Sequence, residues 1–106
     1  MITRAARRRL SNRRPGEIIT VRHSGMSYLV SFSRFDDGSL AEVFVRCDKS
    51  ASDLAEWARD VGILLSLSLQ WGVPVETISA AQPRFATGQP SGLVGAILDA
   101  IAETRP

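Results

Sequence analysis

The sequence predicts an α+β domain: a three-stranded antiparallel meander covered on one face by a long helix, a short helix and a C-terminal helix. Three observations carry this expectation. Apolar residues alternate with period two between positions 17 and 47, and from position 53 the spacing changes to three and four. A chain of 106 residues is also long enough for one hydrophobic core and too short for a core plus a second folded unit.

The strands come first. Ile19, Val21 and His23 alternate with Thr20 and Arg22, Ser24-Gly25 offers a tight turn, and Tyr28, Val30 and Phe32 alternate with Leu29, Ser31 and Ser33. Asp36-Asp37-Gly38-Ser39 supplies the next turn, with Gly38 able to take a positive φ, and a third strand over 40–47 places Val43, Val45 and Cys47 on one face.

Ser50-Ala51-Ser52-Asp53 then reads as a helix start, its hydroxyl and carboxylate groups suited to the free N–H groups of a first turn. Leu54, Trp57, Val61, Leu64, Leu65, Ser68 and Leu69 recur at helical spacing and are the expected buried stripe. Gly72 ends this helix as a left-handed cap, Pro74 starts a short second helix through Glu76, Thr77 and Ile78, and residues 82–90 form a loop. A last helix over about 91–104 shows Leu93, Val94, Ile97, Leu98 and Ile101 as its apolar face.

Composition narrows the class. Hydrophobic residues at 44% and charged residues at 23% fit a soluble globular chain, and no apolar run approaches the ~20 residues of a membrane-spanning helix. The N-terminus lacks the apolar core of a signal peptide, so the expected compartment is the cytoplasm. Cys47 is the only cysteine and His23 the only histidine, which excludes an internal disulfide and a multi-cysteine zinc site. No cofactor and no metal site follow from these residues.

The net charge of +2 conceals an asymmetry. Arg4, Arg7, Arg8, Arg9, Arg13 and Arg14 fall in the first 14 positions with no acid among them, leaving seven basic against 11 acidic residues further on, a balance of −4. The chain therefore divides into a basic, mobile arm over 1–14 and a single folded domain over 15–106. Guanidinium groups suit phosphate contact, but the arm reads equally as a solvated terminus or as a segment folded back on the acidic body.

Several side chains invite functional readings. Asp36, Asp37, Glu42 and Asp48 resemble a cation site only in composition; their spacing matches no Ca²⁺ loop, and turn chemistry explains them. His23 and Cys47 would form a nucleophile–base pair only if their strands were adjacent, which a meander does not allow. Trp57 and Trp71, 14 residues apart, project from nearly the same side of the long helix. Trp57 fits the core stripe, whereas Trp71 near the helix end is a candidate partner anchor together with Leu67. The run over 62–69 is apolar nearly all round, more than one face on a sheet requires, so a homodimer through this helix or the sheet's open edge is expected.

Two stretches carry a family resemblance: Arg34-Phe35-Asp36-Asp37-Gly38-Ser39-Leu40-Ala41-Glu42-Val43-Phe44-Val45 and Ser66-Leu67-Ser68-Leu69-Gln70-Trp71-Gly72-Val73-Pro74. Over about positions 10 to 80 the chain resembles the TSCPD domain, found near the C-terminus of adenosylcobalamin-dependent ribonucleotide reductases and also as small bacterial proteins. The small relatives are also similar at Leu10-Ser11-Asn12-Arg13-Arg14-Pro15-Gly16-Glu17, which makes Asn12, Arg13 and Arg14 the candidate ligand- or phosphate-binding residues. The Thr-Ser-Cys-Pro-Asp signature that names the domain is absent, as is any CxxC motif, so the resemblance implies an accessory role in nucleotide reduction and no catalytic residue of this chain's own.

Three functions are thereby expected in order. The first is a non-catalytic binding module, linked to deoxynucleotide metabolism, that contacts a protein partner such as a ribonucleotide reductase or an anionic ligand. The second is a nucleic-acid- or nucleotide-phosphate-binding protein acting through the arginine arm, recognisable by steep salt dependence. The third is an enzyme domain active only in complex with a reductase.

Overall fold

The computed structural model describes residues 6–11, 15–47 and 53–104. Strands β1 (Gly16–His23), β2 (Met26–Arg34) and β3 (Leu40–Cys47) form an antiparallel sheet in the order β1-β2-β3. Helices α1 (Asp53–Gln70), α2 (Val75–Ala81) and α3 (Leu93–Ala102) follow. This is the α+β architecture that the two periodicities predict. The expected capping residues Ser50 and Ser52, and with them Asp48, lie outside the described residues.

The β1–β2 register runs unbroken from Gly16↔Ser33 to His23↔Met26. It closes on Ser24 (φ 50°) and Gly25 (φ 77°), both in the left-handed region that matches the twist of a two-residue hairpin. Between β2 and β3 the turn is held by Phe35 N–H donating to the Ser39 carbonyl (2.8 Å) and Gly38 N–H donating to the Phe35 carbonyl (2.9 Å), with Gly38 at φ 89°. The register then shifts, pairing Ser33 with Glu42 but Arg34 with Leu40, and leaves Ala41 as an extra residue on β3.

One face of the sheet is buried. Val21, Tyr28, Val30, Phe32, Val43 and Val45 meet Ala58, Val61, Leu65 and Leu69 of α1 and Leu93, Ile97, Leu98 and Ile101 of α3 in a single core. The short helix α2 packs beside α3, with Val75 and Ile78 reaching that core. On the opposite face Ile18, Leu29 and Phe44 remain exposed.

The long helix sits differently from its expected stripe. Trp57 is 52% and Leu64 66% exposed, while Ala58, Val61, Gly62, Leu65, Ser66, Leu69 and Gln70 are buried. The reason is the packing mode: α1 runs along the free edge of β3 as well as over the core. Ala58, Gly62, Ser66 and Gln70, four residues apart, form a ridge of small and polar side chains on one side of α1. A Cβ at Gly62 would lie 3.0 Å from the Val43 carbonyl oxygen, 3.2 Å from the Val45 nitrogen and 3.3 Å from Phe44 Cα, so only glycine permits this approach. Ser66 Oγ accepts from the Val43 N–H and donates to the Val43 carbonyl, each at 2.9 Å, and Gln70 Nε2 donates to the Ala41 carbonyl at 3.3 Å. Helix side chains thus satisfy a strand edge that would otherwise invite another strand.

The helix ends as expected. Gly72 (φ 99°) donates to the Leu69 carbonyl (3.1 Å) and Val73 to the Ser68 carbonyl (3.0 Å), the paired bonds of a Schellman cap. Pro74 is the N-cap residue of α2. Residues 82–90 fold into a tight loop pinned by an Arg84↔Pro90 bridge, and α3 begins two residues later than the spacing implied.

Candidate functional site

A cleft of about 790 Å³ opens where the β2–β3 turn, the end of α1, α2 and α3 converge. That volume falls within the range of ligand pockets. Its apolar surface comes from Phe35, Leu40, Leu69, Leu98 and Ile101, and its charged groups are Arg8, Arg34, Arg84, Asp37, Glu76 and Asp99. Both family-like stretches contribute to it. Ser66 to Val43 and Gln70 to Ala41 are the bonds that join them, so residues more than twenty positions apart become one structural unit.

The basic segment takes part. Arg8 N–H donates to the Gln70 carbonyl (2.7 Å), and Arg7 Nε donates to Gln70 Oε1 (2.7 Å). The Arg8 guanidinium lies 3.7 Å from the centroid of the Phe35 ring and 3.2 Å from Asp37 Oδ2. Of the arrangements open to the arm, Arg7 and Arg8 therefore take the one folded back on the body. Asn12, Arg13 and Arg14, the candidate phosphate-binding residues, lie outside the described residues.

Most charges here are neutralised within the chain. Asp37 accepts from the Ser39 hydroxyl (2.5 Å) and the Ser39 N–H (2.9 Å), and these bonds, with Arg8, pull its carboxyl down to about 2. Arg84 forms a two-point contact with Asp99, at 2.9 and 3.0 Å, which tethers the 82–90 loop to α3; the bonds lower the Asp99 carboxyl and raise the Arg84 guanidinium. Both pairs are partly exposed, so each adds little to stability. Arg34 donates to the Gly38 carbonyl (3.3 Å).

Turn chemistry accounts for Asp37, and Glu42 accepts from the Ser33 hydroxyl at 2.7 Å beneath the sheet surface. Among the described residues no group of three or more His, Cys, Asp or Glu side chains could hold a metal. The strand order leaves β2 between His23 and Cys47, as the meander implied. The cleft brings apolar side chains and both signs of charge together, an arrangement that can bind and orient a ligand.

Leu67 and Trp71, the candidate partner residues, are 37% and 48% exposed on the outer side of α1. With Trp57 and Leu64 they form one apolar flank, because positions 57, 64 and 71 repeat every seven residues and drift only ~20° per repeat. The sequence alone missed Gln70 as a hub. Its signal was present in the four-residue series Gly62, Ser66, Gln70, polar or small residues interrupting an otherwise apolar helix.

Comparisons with known proteins complete the picture. A family model described as the TSCPD domain matches residues 5–104. The chain is 35% identical over 74 residues to a vitamin B12-dependent ribonucleotide reductase of Streptantibioticus cattleyicolor, covering 70% of this chain and 12% of that protein. It is 31% identical over 88 residues to the enzyme of the same description from Agrobacterium fabrum, covering 83% of this chain and 7% of the relative. The corresponding protein of Bradyrhizobium diazoefficiens is 29% identical over 94 residues, 89% of this chain and 7% of the relative. The chain thus spans about a tenth or less of these relatives. No solved structure matches.

Proposed function

The chain belongs to the TSCPD domain family, and from that premise we propose that it is a non-catalytic binding module of deoxynucleotide metabolism, docking on a ribonucleotide reductase through the outer flank of α1. The observation that carries this is the exposure of Trp57, Leu64, Leu67 and Trp71 along one side of the helix. A helix that only covered this core would not need large apolar groups there, and contiguous exposed aromatic and aliphatic side chains mark docking surfaces. The relatives supply the partner class: in vitamin B12-dependent ribonucleotide reductases a matching segment is a small part of a much longer chain. On this reading the chain acts as an accessory to such an enzyme, in the cytoplasm with its partner, and as a homodimer.

The test is binding of the intact protein to its host's ribonucleotide reductase by calorimetry, against Trp71→Asp and Leu67→Asp. Tight binding by the parent and a loss of about tenfold or more in either variant supports the flank, since interface anchors cost ≥2 kcal/mol on truncation. Unchanged binding in both variants moves the contact elsewhere. No reductase binding, but salt-sensitive nucleic-acid binding abolished by Arg13→Ala/Arg14→Ala, replaces the proposal with phosphate contact by the arm.

A further inference from the structure

The two edges of the sheet are treated differently. Along β3, Ser66 and Gln70 of α1 occupy the outward-facing backbone groups of Val43 and Ala41. Along β1 nothing comparable occurs among the described residues. The closing pair of a two-residue hairpin is a hydrogen-bonded one, so His23, Val21, Ile19 and Glu17 bond to β2, and Gly16, Ile18, Thr20 and Arg22 turn their N–H and C=O groups away from β2. The outward bonding of Val43 gives the same phase independently, carried across β2 through the Glu17↔Phe32↔Val43 row. β1 is eight residues long, with no proline and no bulge, and its charged residues Glu17 and Arg22 lie toward its two ends, leaving Thr20 at its centre open to another strand.

We propose that two copies of the chain join through their β1 edges, antiparallel about a two-fold axis at Thr20, doubling the three-stranded sheet to six strands. This rests on the homodimer reading above and names its surface. The register is fixed by parity. A two-fold axis normal to the sheet keeps each face continuous only when directly opposed residues lie on the same face, and a slip of one residue would set core-facing side chains against outer ones. With the axis at Thr20, Ile18 opposes Arg22 of the other copy and Thr20 opposes itself. Every outward N–H and C=O of Ile18, Thr20 and Arg22 then finds a partner. Side chains match as well. Glu17 meets His23 of the second copy, Ile19 meets Val21 on the core face, and the aliphatic stem of Arg22 covers Ile18, which is 67% exposed in the single chain. A slip of two residues toward the hairpin turn sets Ile18 against Ser24, and a slip of two toward Gly16 keeps the faces but sets Glu17 against Val21 and loses the Glu17–His23 match.

The test measures mass by light scattering across concentration for the full chain and for Thr20→Lys and Thr20→Pro, with circular dichroism to verify folding. The N–H of Thr20 faces away from β2 and has no partner among the described residues, so proline there removes the donor that dimerisation needs. Two lysines directly opposed across the axis raise the dimer Kd by about two- to fivefold, an effect that added salt reduces. In a Cys47→Ser background, Thr20→Cys forms an intermolecular disulfide, since opposed Cα atoms of a hydrogen-bonded pair lie about 5.5 Å apart, within disulfide reach. A dimer that persists unchanged in folded Thr20→Lys and resists cross-linking at position 20 overturns the β1 edge while leaving the homodimer standing. A parent chain that stays monomeric at every concentration overturns both.

Discussion

Ser66 Oγ lies 2.9 Å from both the amide nitrogen and the carbonyl oxygen of Val43, so one hydroxyl both accepts and donates at the point where a neighbouring strand would otherwise bond. Ser66 is 7% exposed and Val43 is fully buried. Replacing Ser66 by alanine leaves a buried N–H and C=O of Val43 without partners. Such groups cost about 1–3 kcal/mol, so Ser66→Ala should lower the denaturant midpoint correspondingly and accelerate amide exchange at Val43. Unchanged exchange at Val43 would contradict the assignment.

Gly62 sets how close α1 comes to β3. The atoms that an added Cβ would meet at 3.0–3.3 Å are all backbone, which cannot rotate aside, so the helix as a whole must retreat. Gly62→Ala should therefore destabilise by about 1–3 kcal/mol, outweighing alanine's better helix propensity of ~1 kcal/mol. A stabilised variant in chemical denaturation would show that the helix has slack.

Leu64 and Leu65 are sequence neighbours with opposite environments, at 66% and 5% exposure. Leu65→Ala removes core contacts and should cost about 2–5 kcal/mol, whereas Leu64→Ala should stay within about 0.5 kcal/mol. Thermal unfolding of the two variants reads the orientation of α1 directly. Equal losses would rotate the helix back toward the stripe in which both face inward.

The Asp37 carboxyl is held at about 2, chiefly by the Ser39 hydroxyl and amide. A group whose folded pKa is depressed contributes stability that is fully present above its ordinary value and is lost as pH falls through the folded value. The turn should accordingly tolerate pH 4 and weaken toward pH 2. NMR titration of the Asp37 side chain should show a midpoint near 2 that moves upward in Ser39→Ala; a midpoint at the ordinary carboxylate value in the parent would remove the hydrogen-bond explanation.

Local features were legible in the sequence. Alternation over 17–47 dictates strands because side chains of a strand point to opposite faces, and one face of this sheet is buried. Gly38 and Gly72 mark turns because the backbone there takes φ of 89° and 99°, which disfavours other residues. The same kind of reasoning failed for α1. Its segment over 62–69 is apolar almost all round, so periodicity could not choose an arc: the expected stripe includes Trp57 and Leu64, which are exposed, and leaves out Gly62, Ser66 and Gln70, which are buried.

The candidate cleft was half legible. Both stretches that line it stood out as sequence segments, but their meeting did not. Arg7 reaches Gln70 across 63 positions and Arg8 reaches Asp37 across 29. No local pattern encodes such pairs, because charge and hydrogen-bonding capacity in a sequence name donors and acceptors without naming partners.

By itself, then, the sequence determined the α+β class, the order of strands and helices, the turns at Gly25 and Gly38, the left-handed cap at Gly72, and the family, since each depends on contacts within a few residues or on whole segments read as signatures. Only the tertiary structure decided which arc of α1 is buried, that a helix closes β3 while no described residue closes β1, and that Arg7 and Arg8 fold onto the end of α1. Those outcomes depend on unsatisfied backbone groups at a sheet edge. Their position exists only once the strands have paired, and a small, polar ridge on a distant helix is what can approach closely enough to satisfy them.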